Sequence, residues 1–139
     1  VAQDPKEQLL LGPTYATARL LARNPQMGKD GRKGLNMVDV FEFHEAFAGQ
    51  ILANLKALDS EKFCKENIGM DRVGAMPMER FNLHGGSLSL GHPFGATGCR
   101  LLTTTARRLI REGGQFGLLA ACAAGGHGHG MIIERYSKK

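Results

Sequence analysis

A chain of 139 residues with 42% hydrophobic and 22% charged side chains has room for one domain with a modest core and little more. Arg, Lys, Asp or Glu interrupts every apolar run, which excludes a membrane-spanning helix of the usual length. The net charge of +5 suits an anionic ligand or surface, but two Tyr and no Trp leave no stacking platform for single-stranded nucleic acid, and no nucleic-acid partner is expected.

Residues 1–8 are polar and expected to be loose; with no initiator Met and no signal-peptide pattern, the chain reads as cut from a longer one. Gly12-Pro13-Thr14 opens a helix to about Ala22, because Pro in the first turn forfeits only an N–H with no intrahelical partner, and Asn24-Pro25 ends it. The basic, glycine-rich stretch 28–34 reads as a surface loop. Val38–Phe43 alternates apolar and charged residues, the pattern of a strand with one wet face. A helix follows from about Glu45 to Leu58, with Phe47, Ile51, Leu55 and Leu58 as its buried stripe. Residues 59–80 lack a clear period and read as a long loop.

Phe81–Leu90 reads as a short glycine-rich strand and a tight turn. The helix from about Gly95 to Arg111 is expected to turn Leu102, Ala106, Leu109 and Ile110 inward and to place Arg107, Arg108 and Arg111 at the negative end of its dipole. Gly113-Gly114 stops it. Phe116–Ala123 is apolar enough for a central strand covered on both faces, and Gly125–Gly128 turns it into a last strand at about 130–136. The order predicts an α/β fold, a mixed sheet with helices on its faces, ending in a hairpin.

Chemistry concentrates at three positions. His44 follows the 38–43 strand at its carboxyl end, where α/β sheets bind ligands and a helix start offers free N–H groups. Position alone leaves it open between a plain helix-start residue and a functional imidazole. His44-Glu45 is not half of a zinc-protease motif, because Ala48 stands where the second His belongs. His92 sits between Gly91 and Pro93, a rigid corner that suits a general base, although a turn histidine that merely caps the helix fits the same pattern. Cys122 lies near the end of the most apolar strand, before a glycine-rich turn whose backbone N–H groups suit an oxyanion; the competing reading is a small buried hydrophobe.

The three cysteines form no disulfide pattern and argue for a reducing compartment. Cys64, on a segment expected to be exposed, and Cys99, inside a helix, are taken as structural. Gly125–Gly130 lacks the Lys and Ser/Thr of a phosphate loop. Zinc on Cys122, His127, His129 and His92 has the wrong spacing, so no metal is expected.

Together, Phe43-His44-Glu45-Ala46-Phe47, the run from Gly85 to Gly98 (GGSLSLGHPFGATG) and Cys122-Ala123-Ala124-Gly125-Gly126 resemble the C-terminal motifs of the thiolases, in order and approximate spacing. The resemblance spans about Leu9 to Tyr136 and implies that residues 1–139 form one thiolase-like C-terminal domain. His in place of the usual Asn at 44, with Cys-Ala-Ala at 122–124, looks closest to the trifunctional type of thiolase.

The resemblance implies thiolytic cleavage of 3-ketoacyl-CoA in mitochondrial fatty-acid β-oxidation, with coenzyme A as substrate and no permanently bound cofactor. His92 would activate a nucleophilic cysteine held in an N-terminal half. Cys122 would act as the acid/base toward acetyl-CoA and CoA. His44 would position a water or polarise a carbonyl oxygen, and the Ala124 main-chain N–H would serve an oxyanion hole. The nucleophile's half is absent, as is most of the loop that grips CoA, so the chain alone is expected to have no turnover. Implied partners are that N-terminal half, further copies in a homo-oligomer and an alpha subunit of the trifunctional type. His127 and Gly130 depart from the expected Gln and Ala.

Two other readings stay open. The first is a non-catalytic half-thiolase that binds CoA or lipid or serves assembly. The second is a ketoacyl synthase, which the two histidines allow and Cys122 disfavours.

Overall fold

Strand β1 (Val40–Phe43) runs parallel to β2 (Phe116–Ala123), and β3 (His127–Glu134) runs antiparallel to β2, giving the order β1-β2-β3 with the most apolar segment in the middle. The computed structural model describes residues 1–4, 6–28 and 30–136. Among the described residues five α-helices accompany the sheet: α1 (Gly12–Arg23), α2 (Ala48–Leu58), α3 (Glu61–Phe63, continued by a π turn through Ile68), α4 (Ser87–Leu90) and α5 (Phe94–Glu112).

Two glycines show how the layers stack. A Cβ on Gly117 of β2 would meet Thr105 and Leu109 of α5, whereas one on Gly130 of β3 would meet Ala16 and Leu20 of α1. Gly130 lies opposite Ala120, three positions along β2 from Gly117 and therefore on the other face, so α1 and α5 cover opposite sides of the sheet. The main core lies on the α1 face, where Leu21, Phe41, Phe43, Ile51, Leu58, Leu118 and Ala120 pack together. The departure at Gly130 thus has a steric reason: a methyl there would sit 2.7 Å from Leu20 Cδ1.

Helix α1 begins without a side-chain cap of its own. Asn54 of α2, fully buried, supplies one: its Oδ1 accepts from the Thr14 N–H at 3.0 Å and the Thr14 hydroxyl at 2.8 Å, and its Nδ2 donates to Leu10 O. Just before that cap, Gly12 at the head of α1 crosses β3 at Gly128 so closely that a Cβ on either would lie within 2.5 Å of the other segment's backbone. In the segment expected to be loose, Val1 and Gly128 exchange backbone hydrogen bonds at 2.9 Å and the Gln3 N–H donates to Gly126 O at 2.8 Å; Pro5 lies outside the described residues.

Several elements differ from expectation. The 38–43 strand has no wet face. Glu42 is fully buried against α5, its Oε1 2.9 Å from Arg108 Nη1, and Asp39 accepts from the backbone N–H groups of Gln115 and Phe116. The inward stripe of α5 is Leu101, Thr105, Arg108 and Leu109, while Leu102 and Ile110 are exposed. Helical phase follows the buried Glu42, whose charge requires a cation on the facing helix. Arg108 also donates to the carbonyls of Phe41 and Arg80 and grips the Glu112 carboxylate with Nε and Nη2.

Helix α2 starts at Ala48, so Phe47 is its exposed N-cap and the stripe reduces to Ile51, half-buried Leu55 and Leu58. Residues 59–80 carry α3, the π turn and a 3₁₀ turn at Met78–Arg80 rather than loop alone. Cys64 is buried, not exposed, with its Sγ near the carbonyls of Ala57 and Leu58. Residues 81–90 are not a strand. Phe81 makes one bridge to Phe41, Asn82 then takes a left-handed φ of 46°, and the chain coils into α4.

Candidate active site

The carboxyl ends of β1 and β2 open onto a cavity of about 540 Å³. His44, His92, Cys122 and Ala124 all line it, with Leu10, Phe47, Phe94 and Thr97 among the other walls. Each chemical side chain arrives on a different element. His44 follows β1 directly, fixed by its backbone N–H to Ala120 O at 2.8 Å, and precedes the start of α2 by several residues. His92 stands between α4 and α5, where Gly91 takes φ +91° and Pro93 caps α5. Cys122, half-buried near the end of β2, faces Gly128 across the hairpin.

The two imidazoles stack, ring centroids 4.1 Å apart and planes tilted by 38°. Each is held by a hydroxyl at Nδ1: Ser87 Oγ lies 2.9 Å from His44, and Thr97 Oγ1 lies 2.7 Å from His92. The second ring nitrogen of each therefore remains for the cavity. Burial, with the positive character of His92 and Arg100 nearby, holds His44 below the ordinary imidazole value against the opposing pull of Glu45. Burial also pushes the Cys122 thiol up, partly offset by a backbone hydrogen bond, so it is a protonated thiol at neutral pH.

Glu45 binds the site together. Its carboxylate accepts from Asn82 Nδ2 at 2.7 Å and from the Leu88 N–H at 3.1 Å, so the segment bearing His44 is tied to the segment leading to His92. Gly86 fits beneath it; a Cβ there would lie 2.3 Å from the carboxylate. Among the described residues, no three His, Cys, Asp or Glu side chains gather as a metal-holding cluster. Cys64 and Cys99 lie away from the cavity lining.

The family model of the thiolase C-terminal domain matches residues 1–135. The chain belongs to this family. Among curated relatives, this thiolase chain is 62% identical over 99% of its length to the mitochondrial trifunctional enzyme subunit beta of Bos taurus, and 60% identical to that of Homo sapiens. It is 58% identical to a probable 3-ketoacyl-CoA thiolase of Caenorhabditis elegans. The thiolase chain spans only 28–30% of the length of these relatives.

Sequence reasoning brought out the three chemical side chains of the cavity but missed their supports, Ser87, Thr97, Arg100 and Glu45. Thr97 had a local signal, a hydroxyl one turn into the helix that His92 precedes. Ser87 had none, because it meets His44 across 43 residues of sequence.

Proposed function

We propose that the chain supplies the acid/base machinery of a 3-ketoacyl-CoA thiolase, which cleaves 3-ketoacyl-CoA to acetyl-CoA and a shortened acyl-CoA in mitochondrial β-oxidation. The observation that carries the reading is the shared cavity, in which two stacked imidazoles and one thiol gather from three distant stretches of sequence. A site for binding alone has no need of that combination.

In the proposed cycle, His92 takes the proton of a nucleophilic cysteine held in an N-terminal half. That thiolate attacks the 3-keto carbon, and collapse of the oxyanion breaks the C2–C3 bond. The departing acetyl-CoA carbanion takes its proton from Cys122, which is suited to the task because burial keeps the thiol protonated. The Cys122 thiolate then removes the proton of incoming CoA, whose sulfur attacks the enzyme-bound thioester; the shortened acyl-CoA leaves, and the expelled cysteine thiolate recovers its proton from His92. His44 and the Ala124 N–H serve the carbonyl oxygens. CoA is a substrate, and no resident cofactor enters any step. Further thiolase copies and an alpha subunit are the partners this reading carries.

The test is acetyl-CoA formation from 3-ketohexadecanoyl-CoA and CoA by the full-length protein carrying this segment. His92→Ala and Cys122→Ser are each expected to lower kcat by a factor of about 10² or more. Turnover unchanged in both variants would refute the roles assigned, and an intact protein that binds CoA without any turnover would favour a binding or assembly module.

A further inference from the structure

His44 and His92 lie in van der Waals contact within one cavity, and each rests on a hydroxyl. The two hydroxyls are not equivalent. Ser87, the first residue of α4 and 7% exposed, receives a second contact: Arg100 Nη2 donates to its Oγ at 3.3 Å. A guanidinium can only donate, so it occupies a lone pair of the serine oxygen and leaves the hydroxyl proton to find an acceptor. Among the described residues the acceptor that Ser87 Oγ reaches is His44 Nδ1, at 2.9 Å.

Two arrangements satisfy the His44–Ser87 contact. If Nδ1 carried the proton and donated to Ser87, the serine hydroxyl would point into a buried region with no acceptor, at a cost of about 1–3 kcal/mol. If Ser87 donates to Nδ1, every group is paired and the imidazole proton resides on Nε2. We propose that Ser87 and Arg100 are positioning residues that hold His44 as the neutral tautomer protonated at Nε2. It then donates a hydrogen bond to the substrate's carbonyl oxygen and does not serve as a base.

The charged and titratable groups that bear on His44 are His92, Arg100 and Glu45, and the first two oppose a positive charge on its ring. Two further nitrogens of Arg100, Nε and Nη1, are buried without a hydrogen-bond partner among the described residues, so its charge is not neutralised by a direct contact there. Glu45 has both oxygens committed to Asn82 and Leu88, which limits its pull on the imidazole. Thr97, the hydroxyl at His92 Nδ1, receives no such contact among the described residues, so nothing there fixes which of the two donates. The stacked pair thereby divides its labour: one ring is a fixed donor and the other is the base.

This inference rests on the proposed thiolase reading for the identity of the oxygen that receives the bond, but its test does not require turnover. Imidazole ¹⁵N NMR on the 139-residue chain at pH 7.5 reads the tautomer directly. His44 is expected to show a protonated Nε2 and an unprotonated Nδ1. Ser87→Ala is expected to bring both tautomers into exchange, Ser87→Thr to restore the single form, and Arg100→Gln to raise the pH at which the ring titrates.

A proton found on Nδ1, a charged ring at pH 7.5, or a Ser87→Ala spectrum identical to the parent would overturn the proposal. Failure of thiolysis in the full-length protein with the Nε2–H tautomer intact would instead overturn the functional reading and leave the positioning role standing.

Discussion

Replacing Arg108 by Met is the sharpest test of how this domain is held together. The guanidinium is 1% exposed and makes five contacts: Glu42 Oε1, the carbonyls of Phe41 and Arg80, and both oxygens of Glu112. Methionine fills much of the stem's volume but leaves Glu42, itself fully buried, without the cation that touches it. Removing one partner of a buried pair typically costs about 3–5 kcal/mol, a large part of the roughly 5–15 kcal/mol that keeps a domain folded.

Urea denaturation should therefore show a midpoint lower by at least about 1 M, given a slope of roughly 1–3 kcal/mol per molar. The double variant Glu42→Leu with Arg108→Met should recover most of the loss, because an apolar pair needs no compensation. It should fall short by about 1 kcal/mol for the Arg80 carbonyl left without a donor, whereas the Phe41 carbonyl keeps the Asn82 N–H at 3.0 Å. A single variant that loses less than about 1 kcal/mol, or a double variant no better than the single, would refute the reasoning.

Gly128→Ala should destabilise the chain by about 1–3 kcal/mol or more, because its Cβ would meet the Gly12 backbone at 2.4 Å; Gly49→Ala, with open space around it in α2, should instead add about 0.5–1 kcal/mol, both read by thermal denaturation. Asn54→Leu should cost about 1–2 kcal/mol in the same assay, since it strips the side-chain cap from α1 and leaves the Leu10 carbonyl without its donor, while Thr14 keeps only its contacts to the backbone oxygens of Leu11 and Asn54. The raised Cys122 thiol should react with iodoacetamide half-maximally only at a higher pH than an unfolded cysteine does, as followed by mass spectrometry of its peptide. The sign is that of a protonated form favoured by folding: its contribution to stability is complete below the unfolded-state pKa and disappears as pH rises through the folded one.

Where residues carried their own local signal, the sequence read well. Pro13 at the head of α1, Gly113 behind α5 and the unbroken apolar run of β2 place those elements to within a residue or two of the structure. The chemical side chains were legible because each sits at a corner marked by glycine or proline, or at a strand end.

The misreadings share a cause. Arg108 reads from the sequence as one of three cations at the negative end of the helix dipole, and nothing local announces that Glu42, 66 residues away, waits inside for it. The 81–90 segment looked like a strand by composition, but strand pairing beyond Phe81 would need partners that Asn82 turns the backbone away from. Asn54 reads as an ordinary helix residue until Thr14 arrives across the core. Contacts between distant residues decide these cases, and no window of sequence contains them.

The Glu45 carboxylate has a mechanical consequence. One side chain grips the loop before α4 by the Asn82 amide and α4 itself by the Leu88 N–H, which ties the two imidazole-bearing stretches together. The rings reach their mutual orientation when the polypeptide folds and do not wait for an acyl chain to draw them together. On the proposed thiolase reading, a thioester would meet two rings already set, and the free energy of its binding would be left for the reacting atoms.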